Sequence, residues 1–97
     1  MRLDQGQIKT VRMVVEKIAG REAQVRVFGS RLNDFQRGGD LDLLVETDLP
    51  LDAFQRADMQ MDLEEKLQLP VDIVFLEKGI KRHAFQELAY AQSQLIG

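Results

Sequence analysis

The sequence predicts a small α+β domain in which helices pack against a short mixed β-sheet. Two observations lead to this fold class. Apolar residues recur at helical spacing in some segments of the 97-residue chain and at alternate positions in others. These segments follow one another in the order α-β-β-α-β-α, which is typical of a sheet covered by helices. The length suits one domain spanning residues 1–97.

Three segments carry the helical pattern. A first helix is predicted from about Gln5 to Ala19, with Asp4 as its cap and Gly20 as its stop. A second helix is predicted from about Leu51 to Gln68. Its inward-facing residues are expected to be Phe54, Ala57, Met61 and Leu67. A third helix is indicated by Phe85, Leu88, Ala89, Gln92 and Leu95 or Ile96.

Three short segments carry the strand pattern. Val25–Phe28 is rich in β-forming residues and ends at a Gly-Ser pair. A polar loop over residues 31–39 follows, closed by Gly38-Gly39. The apolar residues Leu41, Leu43 and Val45 then alternate with other side chains at the two-residue period of a strand. Val71–Phe75 is the third predicted strand.

Composition excludes several classes of protein. With no cysteine and one histidine, His83, the chain has neither a disulfide scaffold nor a thiolate zinc site. Any bound metal must therefore have oxygen ligands, which favours Mg²⁺, Mn²⁺ or Ca²⁺. The net charge of −3 argues against a nucleic-acid clamp. No apolar run is long enough to cross a bilayer and the N-terminus lacks a signal-peptide core, so we expect a cytoplasmic protein with no membrane partner.

Asp40 and Asp42 form an acid-x-acid pair on the second predicted strand. Residues two apart on a strand point to the same face, with α-carbons roughly 6.5–7 Å apart. Both carboxylates can then turn toward one or two cations, which would neutralise their mutual repulsion. Taken alone, the pair fits a solvent-exposed strand face equally well or better.

Asp72 makes a metal site a stronger interpretation. It lies in the apolar strand Val71–Phe75, where an acid is unfavourable without a partner. The helix before it returns the chain to the same sheet, so Asp72 can lie beside Asp42. Three carboxylates suit Mg²⁺, which keeps open positions for phosphate oxygens. Gly29-Ser30 adds a turn whose backbone N–H groups and hydroxyl can bind phosphate, although such a pair is also a common plain turn.

Together these motifs resemble the polymerase-β-type nucleotidyltransferase superfamily. The resemblance rests on Val27-Phe28-Gly29-Ser30, a nine-residue spacer, Asp40-Leu41-Asp42-Leu43 and Val71-Asp72-Ile73-Val74. The small size and the Gly-Ser-Arg sequence resemble its minimal nucleotidyltransferases, the MNT family. The specific match covers about residues 25–75. The spacer is slightly short for that family, and Gly38-Gly39 replaces a residue that is often polar there.

The resemblance implies a role for each motif residue. Gly29 and Ser30 would hold the triphosphate of a nucleotide, and Asp40 and Asp42 would bind the catalytic Mg²⁺ ions, or Mn²⁺ in their place. Asp72 would complete one metal site and take or orient the proton of the acceptor hydroxyl. The implied reaction transfers AMP from ATP to a hydroxyl and releases pyrophosphate.

The resemblance also suggests a biological partner. Minimal nucleotidyltransferases are often encoded beside a helical HEPN-type protein and act as antitoxins, in some cases by adenylylating a tyrosine of the toxin. A short chain without a second domain fits an acceptor supplied by a partner protein. A small-molecule nucleotidyltransferase and a catalytically idle protein that neutralises its partner by binding remain alternatives. Association with a second copy or with a helical partner is also expected, because a domain this small exposes apolar helix surface.

Other polar residues are weaker candidates for a site. Arg31 and Arg37 could neutralise phosphate charge, although loop arginines are more often simply solvated. Lys81-Arg82-His83 could meet an acidic partner or RNA, but a solvated helix start explains it better. Tyr90 is expected to be a core or interface ring.

Overall fold

The computed structural model describes residues 3–28 and 41–96. The helices of this part are α1 (Gln5–Ala19), α2 (Ala53–Leu67) and α3 (Ala84–Ala91). Its strands are β1 (Gln24–Phe28), β2 (Leu41–Thr47), β3 (Val71–Glu77) and β4 (Gln94–Ile96). The strands form one sheet in the order β3-β2-β1-β4, in which β2 and β3 are parallel and β1 runs antiparallel to β2 and β4. This mixed sheet with flanking helices confirms the predicted α+β class.

The ends of α1 agree with the prediction from sequence. The Asp4 side chain accepts a hydrogen bond from the Gln7 backbone N–H at 2.7 Å, and the Gln7 side chain accepts one from Asp4 N–H at 2.9 Å. This reciprocal pair satisfies backbone donors that the first helical turn leaves unpaired. At the other end, Gly20 has a φ of 94°, a conformation that glycine adopts at no steric cost.

Helices α1 and α2 cover one face of the sheet and enclose the main core. The alternating residues Leu41, Leu43 and Val45 of β2 are fully buried there, as is Leu63 of α2. A smaller cluster lies on the opposite face, where Ala89 of α3 packs with buried residues of β2 and β3. The two faces of the sheet are therefore covered unequally, because α3 is short.

The predicted inward stripe of α2 was wrong in three of its four positions. Phe54 is 83% exposed and Met61 is 67% exposed, and Ala57 also faces solvent. The buried side chains are those of Met59 and Leu63, which lie four residues apart on the other side of the helix. Of the predicted stripe, Leu67 alone packs against the core. Apolar residues occur on both sides of this helix, so their spacing did not decide which side faces the sheet.

Other boundaries also differ from the prediction. Helix α2 begins at Ala53 rather than Leu51, since Asp52 caps it by accepting a hydrogen bond from Gln55 N–H at 2.8 Å. The third helix ends at Ala91, and the chain then forms β4, so the expected helical role of Leu95 or Ile96 was wrong. Pairing with β1 and contact of Ile96 with the main core stabilise the extended form.

Residues 3–28 and 41–96 contain no helix with the length and apolar character needed to span a bilayer.

Candidate active site

Asp42 and Asp72 lie side by side on the two parallel strands. In the register of β2 and β3, Asp42 is directly opposite Asp72. Neighbouring strands lie about 4.8 Å apart, so these two α-carbons have roughly that separation. Each aspartate is the second residue of its strand, because β2 begins at Leu41 and β3 at Val71. The acids therefore lie at one end of the sheet.

Both acids belong to the sheet face that α3 covers. Asp42 alternates with Leu41 and Leu43, whose side chains are buried on the face of α1 and α2. Asp42 is half-buried and Asp72 is exposed. The residues two further along each strand, Leu44 and Val74, belong to the cluster beneath α3. The acids thus lie next to a helix-covered apolar surface but remain accessible to a ligand.

Strand β1 ends beside this acidic pair. Its last residue, Phe28, is the register partner of Asp42 on the side away from Asp72. The predicted phosphate-binding residues Gly29 and Ser30 follow Phe28 in sequence, and Asp40 precedes Leu41. These three site residues lie outside the described part of the chain, as do Arg31, Arg37 and Gly38-Gly39. Their assignment stays a prediction from sequence.

The donor chemistry fits a hard divalent cation. Two carboxylates on adjacent, in-register strands present oxygen atoms to one shared region, and Mg²⁺ is usually held by one or two carboxylates together with phosphate oxygens and water. Among the residues that the structure describes, no group of three or more His, Cys, Asp or Glu side chains could hold a metal ion. The third predicted carboxylate, Asp40, is outside that part of the chain.

A cluster of cationic and aromatic side chains lies on the same sheet face. The Tyr90 ring has the Arg26 guanidinium 4.2 Å and the Arg82 guanidinium 3.8 Å from its centroid. Arg26 donates a hydrogen bond to Ser93 Oγ at 3.3 Å, while its buried Nε has no partner within the described residues. Such stacking attaches α3 to β1. Arg26 was not identified from the sequence as a candidate residue. Its only sequence signal is a charged residue between two valines of a predicted strand.

Arg82 is fixed by two carboxylates as well as by the ring. It donates to Glu87 at 3.2 Å and to Glu46 at 3.5 Å. Burial of the guanidinium opposes its charge, but the hydrogen bonds to Glu87 and Glu46 outweigh this and raise the pKa of Arg82. The neighbouring His83 is the cap of α3. The basic segment 81–83 is therefore a helix start, as expected.

The chain matches the family model described as Nucleotidyltransferase domain over residues 8–93. The match spans both strands that carry the acidic pair and all but the ends of the chain. The protein therefore belongs to the nucleotidyltransferase domain family, and the resemblance at the level of the superfamily is confirmed. A comparison with curated protein sequences gives no match.

Proposed function

We propose that this nucleotidyltransferase domain transfers AMP from ATP to a hydroxyl group, with Mg²⁺ held by Asp40, Asp42 and Asp72. The observation that carries the proposal is the register pairing of Asp42 with Asp72 on one accessible sheet face. Family membership supports the reaction class, since the match includes both residues. Mn²⁺ is an alternative cation, because it accepts the same oxygen ligands.

The chemistry follows from the positions of the acids. Bound divalent metal would neutralise charge on the triphosphate and stabilise the transition state at the α-phosphorus. Asp40 and Asp42 would hold the metal, and Asp72 would complete the site from strand β3. Asp72, the more exposed of the two described acids, would also accept or orient the proton of the acceptor hydroxyl. Gly29 and Ser30 would bind the phosphate oxygens.

We further propose that the acceptor is a tyrosine of a helical HEPN-type toxin, with the chain acting as its cytoplasmic antitoxin. This proposal rests on the resemblance to minimal nucleotidyltransferases. It is supported by apolar side chains that a partner could cover, since Phe85 and Leu88 of α3 are both 57% exposed. A second copy of the chain could cover the same residues, so a homo-oligomer is an alternative assembly.

The test compares the fate of radiolabel on the α-phosphate of ATP with that of label on the γ-phosphate. With Mg²⁺ and a HEPN-type protein present, label on the α-phosphate should appear on that protein and label on the γ-phosphate should not, because attack at the α-phosphorus releases pyrophosphate. Asp42→Asn should abolish the transfer. Asp58→Asn, an exposed acid of α2, is the matched control and should transfer normally.

Three results would contradict parts of this proposal. If the partner is neutralised equally by the Asp42→Asn protein and no label moves, the chain is an idle member of the family that acts by binding. If label appears on a small molecule and on no protein, the acceptor assignment is wrong. Transfer of the γ-label would show phosphoryl rather than nucleotidyl transfer.

A further inference from the structure

A cleft lies at the opposite end of the sheet from the acidic pair. It is a cleft of about 170 Å³ where β2 and β3 end, between the start of α2 and the start of α3. Thr47 of β2 lies in its wall, five residues after Asp42. At about 3.3 Å per residue, the α-carbons of these two residues are roughly 16 Å apart. A ligand in the cleft would therefore not reach the candidate active site unless it were long.

The charged lining of the cleft is mostly positive. Arg56, Lys81 and Arg82 contribute cations, and Glu77 contributes the one carboxylate among its lining residues. Arg82 already pairs with acids outside the cleft. Within residues 3–28 and 41–96, Arg56 and Lys81 take part in no ion pair of 4 Å or less. Two cations in a chain of net charge −3 are thus available to an incoming anion.

Arg56 is held in place for such a contact. Its Nε donates to the Leu51 carbonyl oxygen at 3.1 Å, and its guanidinium lies 5.3 Å from the centroid of the Phe75 ring. These contacts use one N–H group and the face of the guanidinium. The remaining N–H donors are in the fork geometry that suits two oxygens of a phosphate or carboxylate.

The rest of the lining combines the polar side chains of Thr47 and Gln86 with a larger apolar group. Leu51, Phe75 and Leu76 line the cleft, together with Ile80, which is 61% exposed. An exposed isoleucine next to two unpaired cations favours a ligand that has both an apolar part and a negative charge. Inorganic phosphate alone would leave this apolar surface uncovered.

The volume limits the size of the ligand. The volume of about 170 Å³ is below the roughly 300–1,000 Å³ of most pockets for drug-sized ligands. That space suits a charged group with a small ring or short chain. We propose that this cleft binds a small organic anion, a phosphate or carboxylate carrying an apolar group, independently of the metal site.

The test uses NMR of the full chain labelled with ¹⁵N, in EDTA so that the metal site cannot contribute. Phenyl phosphate is the probe, and inorganic phosphate and phenol are its two halves tested separately. Saturable amide shifts are expected around Thr47, Ile80 and Gln86 with phenyl phosphate, and much weaker binding with either half. Arg56→Gln and Lys81→Gln should each weaken binding roughly tenfold, as expected for loss of one charge-assisted hydrogen bond.

Lys9→Gln is the matched control, because it removes an exposed cation from α1 and should leave the affinity unchanged. Amide spectra of each variant away from the cleft report whether the fold is intact. The proposal is wrong if the shifts do not saturate, if they centre on Asp42 and Asp72, or if Lys9→Gln weakens binding as much as Arg56→Gln. Equal affinity for inorganic phosphate and phenyl phosphate would also overturn it.

Discussion

Replacement of Asp72 by asparagine separates a ligand role for this residue from a structural one. The substitution removes one charge from the Asp42–Asp72 pair and keeps the size of the side chain. Asp72 is exposed, so little packing changes. If the acids serve to hold metal and nucleotide, the variant should fold normally and lose binding. If they stabilise the sheet, it should lose stability.

The structure sets the expected size of each effect. With strands about 4.8 Å apart, two carboxylates roughly 5 Å apart repel by about 0.8 kcal/mol in water and about 3 kcal/mol at an effective dielectric constant of 20. Because Asp72 is exposed, the lower figure applies. A contact made by an exposed carboxylate is itself worth about 0–1 kcal/mol. In EDTA, Asp72→Asn should therefore change the free energy of unfolding by about 1 kcal/mol or less. Loss of a direct ligand should cost at least about tenfold in affinity, since loss of an outer-shell partner alone costs 10–100-fold.

Two measurements are needed. Urea denaturation in EDTA gives the stability of wild type, Asp72→Asn and the control Asp58→Asn. Calorimetry with ATP, with and without Mg²⁺, gives the binding. We expect wild type to bind ATP appreciably only with Mg²⁺, because the acids otherwise repel the triphosphate. The reasoning is refuted if Asp72→Asn binds Mg²⁺-ATP as wild type does, or if wild type binds ATP equally well without the metal.

Two predictions concern stability. Met59→Ala should destabilise the fold by about 2–5 kcal/mol, while Met61→Ala should change stability by less than about 0.5 kcal/mol. The reason is that Met59 is fully buried and Met61 is exposed on the same helix; equal urea midpoints would show that α2 packs through another face. The hydrogen bond from Lys66 holds the pKa of Asp62 below its ordinary 3.8. This ion pair should therefore stabilise the fold fully above about pH 4 and lose its effect as the pH falls through the folded-state pKa. Lys66→Gln should accordingly be less stable than wild type at pH 7 and equally stable in strong acid, and a constant difference across that range would contradict this assignment.

Local sequence signals determined much of the fold. Asp4 and Gly20 mark the two ends of α1 because a side chain that caps backbone N–H groups and a residue that tolerates positive φ are properties of single positions. The alternation in Leu41, Leu43 and Val45 likewise identified a strand and its buried face. The order of elements followed from such signals, and so did the fold class.

Long-range packing determined two features that these local signals could not predict, namely strand β4 and the buried side of α2. Gln94–Ile96 form a strand because they pair with the free edge of β1. Since β1 is far away in the sequence, the residues next to 94–96 could not predict this pairing. Met59 rather than Met61 enters the core because α2 is rotated about its axis so that Met59 and Leu63 pack against the sheet. The spacing of apolar residues can show that a helix has an apolar side. It cannot show which of two apolar sides packs against the sheet.

The acidic pair and the cleft likewise depended partly on local sequence and partly on tertiary structure. The sequence by itself determined that the chain carries aspartates in apolar, strand-forming segments after a Gly-Ser pair, which was enough to indicate the nucleotidyltransferase superfamily. Only the tertiary structure decided that Asp42 stands directly opposite Asp72, since the register of parallel strands depends on the helix that joins them. The cleft around Arg56 and Lys81 had only the basic segment 81–83 as a sequence signal, because its lining comes from separate segments that meet only when β2 and β3 pair.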